Sequence, residues 1–205
     1  MGEIILLRHG QTEWAKQGRH TGRTDVPLTP EGEARARAAA ALLSGRKIIT
    51  AWSSPAIRAR RTAELAGLPV QDTDPDLWEW DYGGYEGRTT PQIQAERPGW
   101  YLWTDGVVPG GPGGSPGETA DQVGARCDRV IGRVRPLVEP DSSTALDGDV
   151  ALVAHGHLLR ILAARWLGLP ACAGAYFLLS TASVSALGFE HGHPAISLWN
   201  QTAAS

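Results

Sequence analysis

Cysteine is scarce in this 205-residue chain, which contains only Cys127 and Cys172. The two are far apart and have no C-x-x-C spacing, so they predict neither a disulfide framework nor a zinc site. We interpret both as ordinary buried or half-buried thiols. Acidic residues, histidines and cysteines form no cluster with metal-ligand spacing, and we therefore expect a chemistry that needs no metal ion and no other cofactor.

Long hydrophobic runs are absent as well. The apolar stretch at residues 4–7 stops at Arg8, which makes it too short for a signal-peptide core or a membrane span. The formal net charge is −3, and arginines are mixed with acidic residues along the chain. This distribution excludes the basic face of a nucleic-acid-binding protein. We expect a cytoplasmic protein that has no membrane or nucleic-acid partner and acts on a small molecule.

What is present is an alternation of strand and helix patterns. Hydrophobic residues make up 42% and charged residues 20%, as in ordinary globular proteins, and the length suits one domain over residues 1–205. The predicted strands are 3–8, about 47–52, the region near Val70, 150–154, 184–189 and 195–199. The predicted helices are 30–43, 60–66, 118–138 and 158–167. This alternation predicts an α/β fold, a three-layer sandwich with a mostly parallel central sheet flanked by helices.

Three segments between these elements have no regular pattern. Residues 77–85 combine aromatic and acidic side chains. Residues 104–117 are rich in glycine, proline and valine, and long loops of this kind often act as lids over a ligand. Residues 141–149 are predicted to form a polar connection at the surface.

Two predicted strands are followed by the same dipeptide, His-Gly. The first strand leads into His9-Gly10 and the later one into His155-Gly156. Because open α/β folds bind ligands at the carboxyl ends of parallel strands, both imidazoles are expected at one crevice. A lone histidine would be interpreted as a satisfied polar residue at a strand end. Two, each followed by a glycine that lets backbone approach a ligand, indicate a functional site.

An ordered set of motifs resembles the histidine phosphatase superfamily, in its phosphoglycerate-mutase-like branch. The matching residues span most of the chain in the family's order. They are Arg8-His9-Gly10-Gln11-Thr12-Glu13-Trp14, Thr21-Gly22, Ser53-Ser54-Pro55, Arg58, Thr62-Ala63, Glu79, Tyr82-Gly83 and His155-Gly156.

The resemblance implies a phosphatase that works through a phosphohistidine intermediate. It makes His9 the nucleophile, Glu79 the proton donor, and Arg8, Arg58 and His155 the phosphate pocket. These roles are physically reasonable, since guanidinium groups match phosphoryl oxygens in pairs and a neutral imidazole attacks phosphorus readily. The attacking nitrogen must be unprotonated, which requires a hydrogen bond that holds the proton on the other ring nitrogen.

Two of these assignments have alternatives. Arg58 belongs to a helix with Arg60 and Arg61, where an arginine face is usually solvated or salt-bridged, so its assignment depends on the resemblance. Glu79 is flanked by aromatic residues that would favour its protonated form by desolvation. Glu86 and Asp81 are the alternative acids, and Glu79 is preferred to both.

Further residues are candidates for holding the substrate. Gln11, Thr21, Gly22 and Gly156 are expected to hold phosphate oxygens through side-chain or backbone donors. His20 and His157 each lie beside a pocket residue, although His157 could instead cap the helix that follows it. The remaining candidates, Trp100, Tyr101 and Trp103, fit a substrate wall and the hydrophobic core equally well.

The branch of the family is indicated by what residues 102–118 lack. This segment contains no Lys or Arg, whereas cofactor-dependent mutases have basic residues there, and Ala15 stands where mutases usually place an asparagine. The likeness is greater to bacterial acid phosphatases and fungal sedoheptulose-bisphosphatase-like enzymes, which implies a sugar phosphate as substrate. A phosphoglycerate-type mutase and a non-catalytic phospholigand-binding domain are the alternatives. A homo-oligomer is possible, but no feature of the sequence sets its size.

Overall fold

Six strands form one sheet in the structure, a computed structural model that describes residues 2–140 and 142–203. The strands are β1 (Ile4–Arg8), β2 (Ile48–Ser53), β3 (Val70–Thr73), β4 (Asp149–Ala154), β5 (Val184–Glu190) and β6 (His193–Gln201). Their order across the sheet is β3-β2-β4-β1-β5-β6. The first four in this order are parallel, whereas β5 pairs antiparallel with both β1 and β6. The predicted α/β class with a mostly parallel sheet is confirmed.

Strand β1 shows why the sheet is covered on both faces. Its first four residues are all apolar and at most 1% exposed. Successive side chains of a strand point to opposite faces, so Ile4 and Leu6 join one hydrophobic core while Ile5 and Leu7 join the other. Two cores on opposite faces of one sheet make the three layers of the sandwich.

Seven α-helices lie within the described residues, and four of them cover the sheet. They are α1 (Glu13–Lys16), α2 (Pro30–Leu43), α3 (Ile57–Leu65), α4 (Thr90–Glu96), α5 (Leu102–Asp105), α6 (Ala120–Val138) and α7 (Gly156–Trp166). Helices α2 and α3 pack on the face of Ile5, and α6 and α7 pack on the face of Ile4. None of the helices described is long and apolar enough to cross a membrane.

The predicted elements are all present; α2 has the predicted bounds, and the other elements have shifted ends. Helix α3 starts at Ile57 rather than at residue 60, and α7 starts at Gly156 rather than at 158. The short helices α1, α4 and α5 were not predicted, because four to seven residues do not establish a helical period. Single 3₁₀ turns at Pro75–Leu77, Pro112–Gly114 and Ala171–Tyr176 were not predicted either.

The two predicted connections have different outcomes. Residues 104–117 are irregular apart from the end of α5 and the turn at Pro112–Gly114. In the predicted connection 141–149, Asp141 lies outside the described residues. Residues 142–148 form neither helix nor strand, and β4 begins at Asp149.

Candidate active site

Three neighbouring parallel strands end at the same edge of the sheet and place the first site residues together. Arg8, at the end of β1, is in register with Ala154, at the end of β4, and the backbone N–H of His9 donates to the Ala154 carbonyl at 2.9 Å. The residue after Ala154 is His155, and the two imidazole centroids are 5.2 Å apart. Beyond β4 on its other side, β2 leads into Ser54, whose hydroxyl lies 2.8 Å from His155 Nε2. The two imidazoles lie together at the strand ends as expected, but only His9 lines the cavity there.

One ring nitrogen of His9 makes a hydrogen bond, and the other has no hydrogen-bond partner among the described residues. Its Nδ1 lies 2.7 Å from the carbonyl oxygen of Gly10, so Nδ1–H donates to that oxygen and Nε2 keeps its lone pair. Burial of the ring, together with the nearby positive charges of Arg58 and Arg8, holds the pKa of His9 well below its usual value of 6.5. His9 is therefore a neutral imidazole at neutral pH, with the geometry of a nitrogen nucleophile.

Arg8 lies against the first turn of α7. Its Nη1 donates to the Leu179 carbonyl, and its Nε is a buried donor with no hydrogen-bond partner among the described residues. A methyl group added at Gly156 would come within 3.2 Å of Nε. Because an unsatisfied buried donor is unfavourable, the Arg8 guanidinium is suited to receive an anion beside His9.

Gly10 and Gly156 both make room for protein atoms. A methyl group added at Gly10 would lie 2.5 Å from the Gly32 carbonyl oxygen, at the start of α2, and one at Gly156 would lie 3.2 Å from Arg8 Nε. For Gly10, which is not part of the cavity lining, the packing of α2 is the reason for a glycine. Gly156 does line the cavity, so a close approach of its backbone to a ligand stays a prediction.

Arg58 is fully buried, so the solvated alternative is wrong for this residue, while its Nη1 lies 3.9 Å from Oδ1 of Asp25 as in the salt-bridged alternative. Its Nε donates to Nδ1 of His155 at 3.2 Å, and its terminal nitrogens donate to the backbone carbonyls of Thr21, Gly22 and Thr24. Because His155 Nδ1 accepts this bond, its ring proton is on Nε2, directed to Ser54. Burial, and next the charge of Arg58, hold the pKa of His155 well below its usual value. Arg58 and His155 thus form a buried layer behind His9.

Glu79 lies at the N-terminus of α7. Its Oε1 accepts the backbone N–H groups of Trp80 and Leu158, both at 2.9 Å, and its Oε2 accepts that of His157 at 3.0 Å. The residue is only 5% exposed, and its carboxyl group is held by these three backbone donors. Oε2 accepts only one of these bonds and can also bind a proton that faces the cavity.

The loop that carries Glu79 is held by a buried ion pair. Arg126, on α6, donates to the carbonyl oxygens of Asp76 at 2.7 Å and Trp78 at 2.8 Å. The same guanidinium pairs with both carboxylate oxygens of Glu118 at 2.8 Å. Residues 76–79 are thereby fixed to α6.

The two alternative acids are occupied elsewhere. Glu86 accepts the backbone N–H groups of Gly22 and Thr24, and Asp81 accepts those of Gly83 and the hydroxyl of Ser115. Neither side chain lines the cavity at the strand ends, whereas Glu79 does.

The cavity beside His9 has a volume of about 460 Å³, within the usual range for a small-molecule site. Seven of the predicted site residues line it, namely Arg8, His9, His20, Thr21, Glu79, Gly156 and His157. Four do not, namely Gln11, Gly22, Arg58 and His155. Cavity-lining residues that the sequence did not single out include Arg19, Arg160 and Leu179.

Two candidate phosphate-holding residues have other partners. Gln11 Oε1 lies 3.4 Å from the hydroxyl of Thr29, the N-cap of α2. The Gly22 amide donates to the Glu86 carboxylate at 2.9 Å, so this donor is directed away from the cavity. Thr21 keeps its place in the lining, with its hydroxyl donating to the Arg19 carbonyl.

His20 and His157 face each other across the cavity, with their rings stacked at 6.4 Å. Nδ1 of His20 lies 2.8 Å from the Arg88 carbonyl, and Nδ1 of His157 lies 2.6 Å from the Tyr82 hydroxyl. The alternative that His157 caps α7 is wrong, because His155 is the N-cap residue and the Glu79 carboxylate accepts the N–H groups of the first turn. Burial lowers the pKa of both rings, so both are neutral at neutral pH.

The aromatic residues at 100–103 serve as both core and cavity wall. Trp100 and Trp103 are 3% and 7% exposed, yet both line the cavity, while Tyr101 is 47% exposed at its rim. The loop at 104–117 is not part of the lining. It packs against Gly84, whose backbone N–H donates to the Val108 carbonyl at 2.6 Å, so the structure does not place it as a lid.

The prediction of buried or half-buried thiols is confirmed for Cys127 and wrong for Cys172. Cys127 is fully buried and its Sγ lies 3.6 Å from the Leu158 carbonyl, whereas Cys172 is exposed rather than half-buried. Across residues 2–140 and 142–203, no group of three or more His, Cys, Asp or Glu side chains is arranged to hold a metal ion.

The three-layer α/β fold, with histidines and arginines together at its strand ends, indicates an enzyme of phosphoryl-group chemistry. A family model described as the histidine phosphatase superfamily, branch 1, matches residues 4–202. The chain belongs to the histidine phosphatase superfamily.

The chain is similar in sequence and in structure to several named proteins. The chain is 42% identical over 191 residues to an acid phosphatase of Mycobacterium tuberculosis, a match that covers 92% of this chain and 87% of that protein. It is 38% identical over 190 residues to sedoheptulose 1,7-bisphosphatase of Saccharomyces cerevisiae, covering 80% and 67% of the two chains. A solved structure of a Mycobacterium tuberculosis open reading frame superposes with a TM-score of 0.86 at 39% identity, covering 99% of each chain. The predicted family and fold are both confirmed.

Proposed function

We propose that this protein is a metal-independent phosphatase that hydrolyses small phosphomonoesters, with sugar phosphates as its substrates. The observation that carries the proposal is the pairing of a neutral His9, whose Nε2 is free, with the unpartnered buried Nε of Arg8. A nucleophile and an anion-binding donor therefore meet at one cavity. The acid phosphatase and the bisphosphatase to which the chain is similar support the same class of reaction.

In the first step, the Nε2 lone pair of His9 attacks phosphorus and forms a P–N bond as the ester P–O bond breaks. Arg8 stabilises the charge on the transferring oxygens, which is the main contribution that a protein makes to phosphoryl transfer. Glu79, protonated on Oε2, gives its proton to the leaving oxygen. The hydrogen bond from Nδ1–H to Gly10 stabilises the positive charge that develops on the ring.

In the second step, water replaces the alcohol. The Glu79 carboxylate accepts a proton from the water molecule while its oxygen attacks phosphorus. The P–N bond breaks, its electron pair returns to Nε2, and inorganic phosphate leaves. His9 and Glu79 end in the protonation states in which they began.

Arg58 and His155 lie behind His9, outside the cavity lining, and support the reaction from there. The positive charge of Arg58 lowers the pKa of His9 and so keeps its nucleophilic nitrogen unprotonated. Each of the three guanidinium nitrogens of Arg58 and both ring nitrogens of His155 make hydrogen bonds within the protein. We therefore assign these two residues first to orienting the pocket and supplying its positive charge. Direct contact with phosphate would require these bonds to be exchanged.

The mutase and binding-domain alternatives are less favoured. Residues 102–118 contain no Lys or Arg to retain a phosphorylated intermediate, and the similar proteins above are named as phosphatases. A binding domain has no need of a buried carboxyl group beside a nucleophile. Dependence of turnover on a bisphosphate primer would instead identify a mutase.

The proposal is tested by phosphate release from a panel of sugar monophosphates, sugar bisphosphates, phosphoglycerates and p-nitrophenyl phosphate, with EDTA present throughout. We expect release without added metal and with the highest kcat/KM on a sugar phosphate. Activity that disappears with EDTA and returns with a divalent ion would contradict the metal-independent chemistry. No release from any member of the panel would contradict the phosphatase itself.

A further inference from the structure

The acid residue Glu79 stands on a segment without regular structure. Residues 78–82 form neither helix nor strand, in contrast to the strand end that carries His9. The first turn of α7 binds the Glu79 carboxylate, but the backbone from which this side chain extends must be held as well. A proton donor acts efficiently only when its reacting atom is kept within a fraction of an ångström of the productive position. We call residues 76–81 the acid loop.

Arg126 binds the backbone of the acid loop from α6. The residue is 8% exposed, and its Nη1 donates to the carbonyl oxygens of Asp76 at 2.7 Å and Trp78 at 2.8 Å. Its Nη2 donates to the carbonyl oxygen of Glu79 itself at 3.4 Å. Because a guanidinium is planar and its donors have fixed directions, three carbonyl groups that meet at it are fixed in orientation as well as in position.

Glu118 binds the other end of the acid loop. Its two carboxylate oxygens accept Nε–H and Nη2–H of Arg126, both at 2.8 Å, and Oε2 also accepts the backbone N–H of Asp81 at 2.9 Å. The backbone N–H of Glu118 donates to the Asp81 carbonyl at 2.9 Å, and its carbonyl oxygen accepts the indole N–H of Trp80 at 2.7 Å. One ion pair therefore holds the acid loop on both sides of Glu79.

A neighbouring arginine of α6 makes a different kind of contact with the same loop. Arg129 pairs with the carboxylate of Asp76 at 2.6 and 3.1 Å, and its side chain is 55% exposed. It touches a side chain of the acid loop and none of the backbone carbonyls that Arg126 binds. A solvated pair of this kind contributes little, whereas the buried pair of Arg126 and Glu118 constrains the backbone.

We infer that Arg126 and Glu118 are positioning residues for proton transfer by Glu79. Neither lines the cavity, so neither contacts the substrate there, and both act through the backbone that carries the acid. This inference rests on the proposed function, in which Glu79 protonates the leaving oxygen. Loosening the pair should displace Oε2 of Glu79 and weaken proton donation, while His9 can still form the P–N bond.

The test is the ratio of kcat/KM for fructose 6-phosphate to kcat/KM for p-nitrophenyl phosphate. The first substrate needs a proton on its leaving oxygen, and the second has a leaving group that is stable as an anion. We expect Arg126→Met to lower this ratio roughly 10- to 100-fold, the effect of displacing a reacting group by about 1 Å. A misfolded fraction lowers both rates equally, so the ratio is insensitive to lost stability. Arg126→Lys keeps the charge but not the planar fork, and it should lower the ratio in a variant that folds more readily.

A double variant and a matched control show whether the effect passes through the acid. In Glu79→Gln the acid is absent, so adding Arg126→Met should lower the ratio no further. An effect of Arg126 that is independent of Glu79 would instead lower the ratio by the same factor in both backgrounds. Arg129→Met, which removes an arginine of the same helix from the same loop, is the matched control and should leave the ratio unchanged.

Two results would overturn the inference. One is an equal loss on both substrates in Arg126→Met and Arg126→Lys, which would leave the ion pair with a role in stability alone. The other is a further fall of the ratio when Arg126→Met is added to Glu79→Gln. The single variant Glu79→Gln separates these failures from a failure of the proposed function. If it lowers the ratio and the Arg126 variants do not, only the positioning role is wrong; if it leaves the ratio unchanged, Glu79 is not the acid.

Discussion

The two ends of the cavity are built differently. At the inner end, His9, Ser54 and His155 follow directly from three adjacent strands and are at most 5% exposed. At the outer end, Leu178 follows the 3₁₀ segment Ala171–Tyr176 and is 73% exposed, and Tyr101 at the rim is 47% exposed. Backbone hydrogen bonds of the sheet fix the inner residues, whereas the outer ones can vary at little cost to stability. We therefore expect the inner end to determine the reaction and the outer end to determine the choice of substrate.

The largest loss of activity is expected from replacing the nucleophile at the inner end. His9→Ala should lower the rate of phosphate release by roughly 10⁴-fold or more, because it removes the nitrogen that forms the P–N bond in the proposed mechanism. Steady-state release from a sugar phosphate measures this effect. His191→Ala is the matched control, since His191 is 90% exposed on the turn between β5 and β6 and should have no effect. Substantial activity in His9→Ala would refute nucleophilic catalysis by this residue.

Glu79→Gln tests whether the second inner residue is the acid. We expect losses of roughly 10²- to 10⁴-fold on alkyl phosphates, because their leaving oxygen needs a proton. The loss on p-nitrophenyl phosphate should be much smaller, because its leaving group is stable as an anion. Kinetics on both substrates give the ratio. Equal losses on both, or a larger ratio for Glu86→Gln, would move the acid away from Glu79.

The pH dependence tests the electrostatics of the inner end. Burial first, and then the charges of Arg58 and Arg8, hold the pKa of His9 well below 6.5, so protonation removes the nucleophile only at distinctly acidic pH. The acid limb of kcat/KM should therefore lie below 6.5. Arg58→Met removes one positive charge, which raises the pKa of His9 and should move this limb toward higher pH. A limb that stays in place would show that Arg58 does not act on His9 through its charge.

Stability must be followed in the same experiment. Because the folded-state pKa of His9, His155 and His157 is depressed, the unfolded chain binds more protons once the pH falls below about 6.5. The free energy of unfolding should then decrease as the pH falls toward the depressed folded-state values. Circular dichroism at each pH separates this loss of folded protein from loss of the nucleophile.

The smallest effect is expected at the outer end. Tyr101→Ala removes a half-exposed side chain from the rim, and we expect about a two- to fivefold rise in KM with little change in kcat. Trp103→Ala is a contrasting variant, because Trp103 is 7% exposed and supports Arg160. A large fall of kcat in Tyr101→Ala would contradict the division between the two ends.

Prediction from the sequence succeeded where the site depends on strand ends. The apolar runs before His9 and His155 predicted two parallel strands, and the carboxyl ends of adjacent parallel strands necessarily bring their next residues together. The choice of Glu79 came from the family resemblance and its neighbours. Its contact with the first turn of α7 joins residues 78 or 79 positions apart, which no local pattern indicates.

Residues whose roles depend on distant partners could not be predicted. The amide of Gly22 is bound by Glu86, 64 positions away, and the guanidinium of Arg160 is oriented by carbonyl groups of a 3₁₀ turn. Arg160 had one local signal, since it is four residues after Gly156 and shares its helix face. That Gly156 makes room for Arg8 follows only from the packing of β1 against α7.

The most direct test of the account is to trap the intermediate. The protein is mixed with a ³²P-labelled sugar phosphate in the presence of EDTA, quenched in alkali within one turnover, and digested for peptide mapping. We predict a label that is stable to alkali and labile to acid, on the peptide that contains His9, formed and lost as fast as turnover. Turnover without this label, or with the label on another residue, would contradict a reaction through phosphohistidine at His9.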